Sequence, residues 1–384
     1  MLSGLCTLLR TISHSFRTKL RSTIIAQNEN QVLLFMKNLD LLKKICETPG
    51  APGFEQRIRA LILKELKGLA DEVSVDPMGS IIAVKKGKTD KKVMVAAHMD
   101  EIGFIVTHID DEGFIRFHTL GGFDPKTLTS QRVIIHGKKD VVGIMGCKPI
   151  HLMKPEERGK PMPIEEYFID TGLTGKEVQK LINIGDPITR DRELIEMGDC
   201  VNSKSLDNRV SVFILLEVLR ELKGKKVPYD IYAVFTVQEE VGLRGAIAAA
   251  HLINPDFGFG LDVTIAFDVP GAQSHEMITR LNKGTAIKLM DGMSICDYRM
   301  VQYLKQTGTK KRIAWQPEIL PRGGTDTAGI QRYGKSGAIT GAISIPLRNM
   351  HQTIELVHKN DIKSTIDLLR EALKGLDKYD WSFK

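Results

Sequence analysis

The stretch Val93-Met94-Val95-Ala96-Ala97-His98-Met99-Asp100 carries five apolar residues straight into an imidazole and a carboxylate. An uninterrupted apolar run of that length suits a buried strand. Side chains at i and i+2 past its end leave on one side, so His98 and Asp100 share a face where the strand stops. Alone, the pair is a weak signal, because a core or surface histidine fits it better. Its value lies in repetition along the chain. Ile231 to Val237 runs into Gln238-Glu239-Glu240, and Val263 to Phe267 runs into Asp268. Ala338 to Ile345 leads to Pro346 and a loop with Arg348 and His351, and Asp207 stands in Ser205-Leu206-Asp207-Asn208-Arg209 at the start of a helix.

Between these strand-length runs lie segments of helical period: Ile58, Leu61, Ile62 and Leu66; Val210 to Leu222; and Ile362, Ile366, Leu369 and Leu373. Strands alternating with helices predict a layered α/β domain, whose ligands bind beyond the carboxyl ends of its strands. From about Phe104 to Asp199 the texture changes to short β-prone pieces such as Gly113 to Phe117, Arg132 to Ile135 and Val141 to Ile144, separated by Gly, Asp and Pro. Turns that frequent predict a small all-β barrel or sandwich inserted into the α/β domain. The expected organisation is an extension over 1–35, a catalytic domain over 36–103 and 200–384, and an inserted β domain over 104–199.

A chain of 384 residues can bury a large core. Of its net charge of +7, Arg10, Arg17, Lys19 and Arg21 against Glu29 supply +3 from the first 35 residues. The modest remainder, with no interleaved aromatic and basic stripe, speaks against nucleic-acid binding, and Lys310-Lys311-Arg312 reads as a solvated turn. No apolar run reaches the roughly 18 to 20 residues of a membrane span. Cys6, Cys46, Cys147, Cys200 and Cys296 are odd in number and widely spaced, as expected of reduced thiols in the cytoplasm. Met1 to Gln27 has Arg, Ser and Thr without an acid. That is the texture of a transit peptide, which would redirect the chain to a mitochondrion-like organelle. The plainer alternative is an upstream extension ahead of a start at Met36.

Each polar site has an ordinary reading. Asp207 would serve as a helix N-cap, and Asp268, before Val269-Pro270-Gly271, as a turn former. Glu239-Glu240 resists such a reading, because two adjacent carboxylates at the end of a buried strand repel unless cations or solvent compensate. Five such places on one sheet edge predict instead a pair of divalent cations held by carboxylate oxygens and neutral imidazoles. Three carboxylate charges, from Asp207, Glu240 and Asp268, together with a bridging hydroxide would balance two dications, leaving Glu239 free to move a proton. Gly329-Ile330-Gln331-Arg332-Tyr333-Gly334-Lys335-Ser336 matches the phosphate-binding pattern G-x-x-x-x-G-K-[ST]. It lacks the strand before and the helix after that such a loop requires.

Taken together, Ala97-His98-Met99-Asp100-Glu101-Ile102-Gly103-Phe104, Leu206-Asp207-Asn208-Arg209, Gln238-Glu239-Glu240-Val241-Gly242, Phe267-Asp268-Val269-Pro270, Gly323-Gly324-Thr325-Asp326 and His351 resemble the M42 metallo-aminopeptidases, relatives of glutamyl aminopeptidase and of proteins labelled endoglucanase M. The likeness covers about Met36 to Lys384. It implies a three-layer α/β/α catalytic domain with an inserted PDZ-like dimerisation domain, and dimers that assemble into dodecamers. It further implies that Asp207 bridges two metals, zinc, cobalt or manganese, with His98 and Asp268 completing one ion and Glu240 and His351 the other. Asp100 would orient His98, and Glu239 would be the general base; the family, not the spacing, decides which glutamate does which. One departure is Asn349, where family members commonly carry Tyr, which alters the pocket wall.

The implied activity is stepwise removal of N-terminal residues from short peptides by a metal-bridging hydroxide. The rivals on the same scaffold are an amide deacylase or a glycan hydrolase, the latter normally working with two carboxylates and no metal. From another class comes an inactive peptide-binding module, which would normally have lost a ligand.

Overall fold

Four parallel strands form the centre of the protein and aim their carboxyl ends at one edge. The computed structural model of the chain describes residues 38–383, so the transit-peptide reading of 1–35 lies outside the described residues. The chain divides into two units, 1–44 and 45–384. The described part of the first is helical from residue 38.

The second unit holds a mixed sheet of 11 strands. Its central strands are Tyr229–Thr236, Thr89–His98, Phe257–Ile265 and Ile339–Arg348, side by side in that order and all parallel. Antiparallel strands flank them, with Ile81–Lys85 beside Tyr229–Thr236 and Glu355–His358 beside Ile339–Arg348. The central strands read as continuous apolar text because they are buried along most of their length, as parallel strands under helices must be. The helices Leu206–Leu222 and Lys359–Gly375 follow the periodicity of their sequences, and the latter buries Ile362, Ile366, Leu369 and Leu373.

The third central strand differs from its sequence reading. The strand is Phe257–Ile265, not a run from Val263 to Phe267. Its first half, Phe257-Gly258-Phe259-Gly260, hides the signal behind glycines that packing demands. A Cβ on Gly260 would lie 2.0 Å from the Thr327 hydroxyl, and one on Gly258 2.4 Å from Ile330, both on the helix Asp326–Tyr333. That helix also contains the first half of the phosphate-loop pattern, and Gly334-Lys335-Ser336 leads into a strand, so the pattern opens no helix. Lys310 and Lys311 end the helix Tyr298–Lys311 rather than forming a turn, and Lys311 pairs with Glu371 at 2.7 Å.

After His98 the chain enters a closed antiparallel barrel of six strands: Gly103–Ile109, Ile115–Leu120, Phe168–Asp170, Asp140–Gly146, Arg132–His136 and Pro187–Arg190. Alternation is visible in Asp140–Gly146, where Val141, Gly143 and Met145 point inward. Phe104, Val133, Ile135, Ile169 and Ile188 fill the interior. The barrel thus interrupts the α/β part just after one candidate ligand, and the hairpin of Ile195–Met197 and Cys200–Ser203 returns the chain to the large sheet, the latter strand beside Glu355–His358. No described helix is long and apolar enough to cross a membrane.

Candidate metal centre

Register places the site. Thr236 pairs with His98, so Glu239 and Glu240, just past Thr236, emerge beside it. On the other flank Gly260 pairs with Ala96. Two residues further on, Asp262 and His98 stand level and on the same face. Ile339–Arg348 continues into the turn carrying His351. Asp207 arrives from the start of its helix, where Asp207 and Asn208 have non-helical backbones, ψ of Asp207 being 104°. Among the described residues no N–H of the helix's first turn donates to the Asp207 carboxylate, and Ser205, before the helix, makes no side-chain cap bond either. Asp207 is therefore freed from the N-cap role and turns its carboxylate into the cleft.

The oxygens of Asp207 divide between two imidazoles. Oδ1 lies 3.3 Å from His98 Nε2 and Oδ2 lies 3.3 Å from His351 Nε2. Around the first imidazole stand Asp262 Oδ1 and Glu239 Oε2, each 3.8 Å from His98 Nε2. At the second, Glu240 Oε2 is 3.5 Å from His351 Nε2. Three overlapping sets, His98/Asp207/Asp262, Asp207/Glu240/His351 and His98/Glu239/Glu240, each bring one ligand atom per residue within 4.8 Å of the others. This donor set of imidazole nitrogens and carboxylate oxygens suits zinc, cobalt or manganese. Glu240 Oε1 is buried with no hydrogen-bond partner, a vacancy in bonding that a cation would fill.

Asp268, expected from the sequence as a ligand, is in none of these sets. Its strand ends at Ile265, so Asp268 falls past the cleft. There its Oδ1 meets Arg348 Nε at 2.7 Å and its Oδ2 accepts the Leu281 N–H at 3.1 Å. Asp262, which the sequence reading missed, occupies the position beside His98. The signal for it was an acid inside the apolar run Leu261-Asp262-Val263; Asp262 is 5% exposed, and an acid so buried is rare unless paired or bound to metal.

Behind these groups are buried acids that hold backbone. Asp100 accepts the N–H of Glu239 at 3.1 Å and of Glu240 at 3.2 Å, one on each oxygen, and its Oδ1 is 3.4 Å from His98 Nδ1. Glu355 accepts the N–H groups of Asp207 and His351. Deeper still, Glu101 takes two hydrogen bonds from Lys204, 2.8 and 2.6 Å, with Arg209 Nη2 at 3.6 Å.

The electrostatics describe a crowded anionic cleft. Burial, reinforced by Asp262 and Glu240 against the pull of His98, drives the Glu239 carboxyl well above its ordinary range. Burial and the neighbouring Asp207 push Glu240 up to about 7. Burial also resists ionisation of Asp207, yet the hydrogen bonds of His351 and His98 carry it below the usual carboxylate range. For His351, burial opposes the charged form, but Glu240 and Asp207 raise the imidazole to about 10. Negative charge here thus calls for cations, which bound divalent metals would provide in place of protons. A cavity of about 310 Å³ opens against the cluster, and Leu243, Val263, Met293, Leu320 and Met350 give it an apolar wall.

Residues 79–368 match the family described as M42 glutamyl aminopeptidase. A putative aminopeptidase of Acetivibrio thermocellus is 42% identical over 335 residues, which is 87% of this chain and 98% of that protein. Among solved structures, the aminopeptidase APDkam598 from the archaeon Desulfurococcus kamchatkensis superposes with a TM-score of 0.85 at 36% identity, covering 89% of this chain and 95% of its own. The TET1 peptidase of Pyrococcus horikoshii, described as assembling into a tetrahedron or a large octahedral shell, gives 0.79 at 30% identity over 87% and 98%. With the matched segment, the relatives and the shared fold in agreement, the chain belongs to the M42 glutamyl aminopeptidase family of peptidases.

Proposed function

We propose that the chain is a binuclear-metal aminopeptidase that removes N-terminal residues from short peptides. The observation that carries this is the division of the Asp207 carboxylate between two imidazoles, 3.3 Å on either side, at the carboxyl edge of parallel strands. His98, Asp207 and Asp262 would hold one ion, and Asp207, Glu240 and His351 the other. Asp262 replaces Asp268 one for one, so the three carboxylate charges expected of the ligand set are retained. When bound, divalent zinc, cobalt or manganese supplies the Lewis acidity that polarises the scissile carbonyl and acidifies the attacking water.

The remaining work belongs to side chains. Glu239, beside His98 and outside the two ligand sets just named, takes the proton of the attacking water and delivers it to the leaving amine. Asp100 orients His98 through Nδ1 and fixes the Glu239-Glu240 turn through both N–H groups. Within the described residues of the second unit, 45–102 and 195–383 form the catalytic domain in a three-layer arrangement, and the barrel between them serves dimerisation on the way to dodecamers, a reading supported by the tetrahedral assembly of the TET1 peptidase. The four unpaired described cysteines suit a reducing cytoplasm.

Glu239→Ala tests the assignment. Turnover on an aminoacyl amide should drop by about 10²- to 10⁴-fold, the usual reach of general acid–base catalysis, while metal analysis still finds two ions per chain. Undiminished peptidase activity would end the assignment.

A further inference from the structure

We propose that Glu355 is the positioning residue of the half-site formed by Asp207, Glu240 and His351, clamping two ligand-bearing backbones with one carboxylate. The inference rests on the metal reading above. Glu355 opens the strand Glu355–His358 and pairs with Ser203, four residues before Asp207 and four after His351. From there Oε2 accepts the Asp207 N–H at 3.0 Å and Oε1 accepts the His351 N–H at 3.1 Å. The residue is 1% exposed and belongs to none of the candidate ligand sets. Both oxygens are thus committed to peptide groups rather than to an ion.

The backbone it holds needs holding. His351 has φ of +62°, Asn349 of +60° and Ser205 of +53°, left-handed conformations in non-glycine residues. Such a backbone persists only where the surroundings over-determine it. At His351 the clamp is two-sided. Glu355 takes the N–H, and the carbonyl accepts from Arg190 Nη1 at 3.1 Å, a residue sent in from the barrel strand Pro187–Arg190. Asp100 performs the equivalent service for Glu239 and Glu240. Two buried acids therefore each fix a pair of peptides, and Glu355 has the pair that separates Asp207 from His351. His98 and Asp262 have no contact with Glu355 in this network, so its loss should fall mainly on one ion.

The test titrates metal-free protein with Co²⁺, following heat and visible absorption. The wild type should take two ions in two steps, and His351→Ala identifies the step belonging to this half-site. Glu355→Gln, which leaves one acceptor and turns an amide N–H toward a donor, should weaken that same step about 10- to 100-fold, the range for losing an outer-shell partner. The other step should weaken less, since only the shared Asp207 links it to Glu355. Peptidase activity lost at stoichiometric cobalt should return as free cobalt is raised, since the reacting groups remain. Arg190→Met should weaken the same step; if Glu355→Gln fails to fold, this variant carries the test. Equal weakening of both steps, no weakening of either, or activity that excess cobalt does not restore would overturn the proposal. A wild type that binds fewer than two ions would instead sink the underlying metal reading, and it would show before any variant is made.

Discussion

Exchanging two acids separately for their amides decides which of them serves the metal centre. Asp262 is 5% exposed, with Oδ1 3.8 Å from His98 Nε2. Asp262→Asn preserves shape and removes one unit of charge from a site where a carboxylate and a dication about 4 Å apart attract by roughly 8 kcal/mol at an effective dielectric near 20. Even half of that, the rest being offset by relief of the carboxylate's desolvation, is a loss of close to a thousandfold in the affinity for one ion. Asp268 instead forms an ion pair with Arg348 whose side chains are 16% and 31% exposed. Asp268→Asn should therefore cost no more than about 1 kcal/mol of folding stability and leave metal binding unchanged. The assay counts ions retained per chain after desalting from a stoichiometric mixture and records urea unfolding of both variants. We expect at most one ion in Asp262→Asn and two in Asp268→Asn. If Asp268→Asn loses an ion while Asp262→Asn keeps both, the register argument that sets Asp262 level with His98 is refuted.

Other outcomes follow from the buried acids and from the site as a whole. Lys204→Met leaves the Glu101 carboxylate with Arg209 as its remaining charge partner and should cost about 3 kcal/mol, the low end for breaking a buried pair. Urea unfolding measures it, and Glu101→Gln combined with Lys204→Met should recover most of the loss. Chelation of the loaded protein should lower the melting temperature by several degrees, because ions at 100 times their Kd stabilise the native state by about 2.7 kcal/mol. An unmoved melt would contradict metal binding by the folded chain. At Asp140 the Arg57 hydrogen bonds, 2.6 and 2.7 Å, hold the carboxyl down to about 2, below the ordinary 3.8 of an aspartate. A carboxyl depressed in the folded state stabilises above its unfolded pKa and loses that contribution as pH falls through the folded one. The stability gap between wild type and Asp140→Asn should hence be full above about pH 4 and close toward pH 2, as read by urea unfolding at stepped pH; a gap that widens on acidification would refute it.

The fold was legible where burial imposes an unbroken apolar text. Thr89–His98, Tyr229–Thr236 and Ile339–Arg348 announce themselves in this way, and the helices in their 3.6-residue period. Phe257–Ile265 did not, because Gly258 and Gly260, required by the close approach of the helix Asp326–Tyr333, make its first half look like a loop. Shifting that strand late moved the expected acid from Asp262 to Asp268. Glu239 and Glu240 stood just past a strand end and Asp207 at a helix start, where a one-dimensional reading finds them. Glu355 and Arg190 could not be found so, since each acts on a peptide group far away in the chain, Glu355 on Asp207 by 148 positions and Arg190 on His351 by 161. Only the pairing of Glu355–His358 with Cys200–Ser203 brings Glu355 to Asp207, and only the closing of the barrel brings Arg190 to His351.

The order in which the cluster's residues occur carries a consequence for biosynthesis. His98 leaves the ribosome first, Asp207, Glu239, Glu240 and Asp262 follow, and His351 is last, on a turn that must then be gripped by Glu355. On the proposed reading, a nascent chain has no hydrolytic machinery until the final strands of the large sheet are made. A half-translated copy is thereby harmless to the amino termini around it.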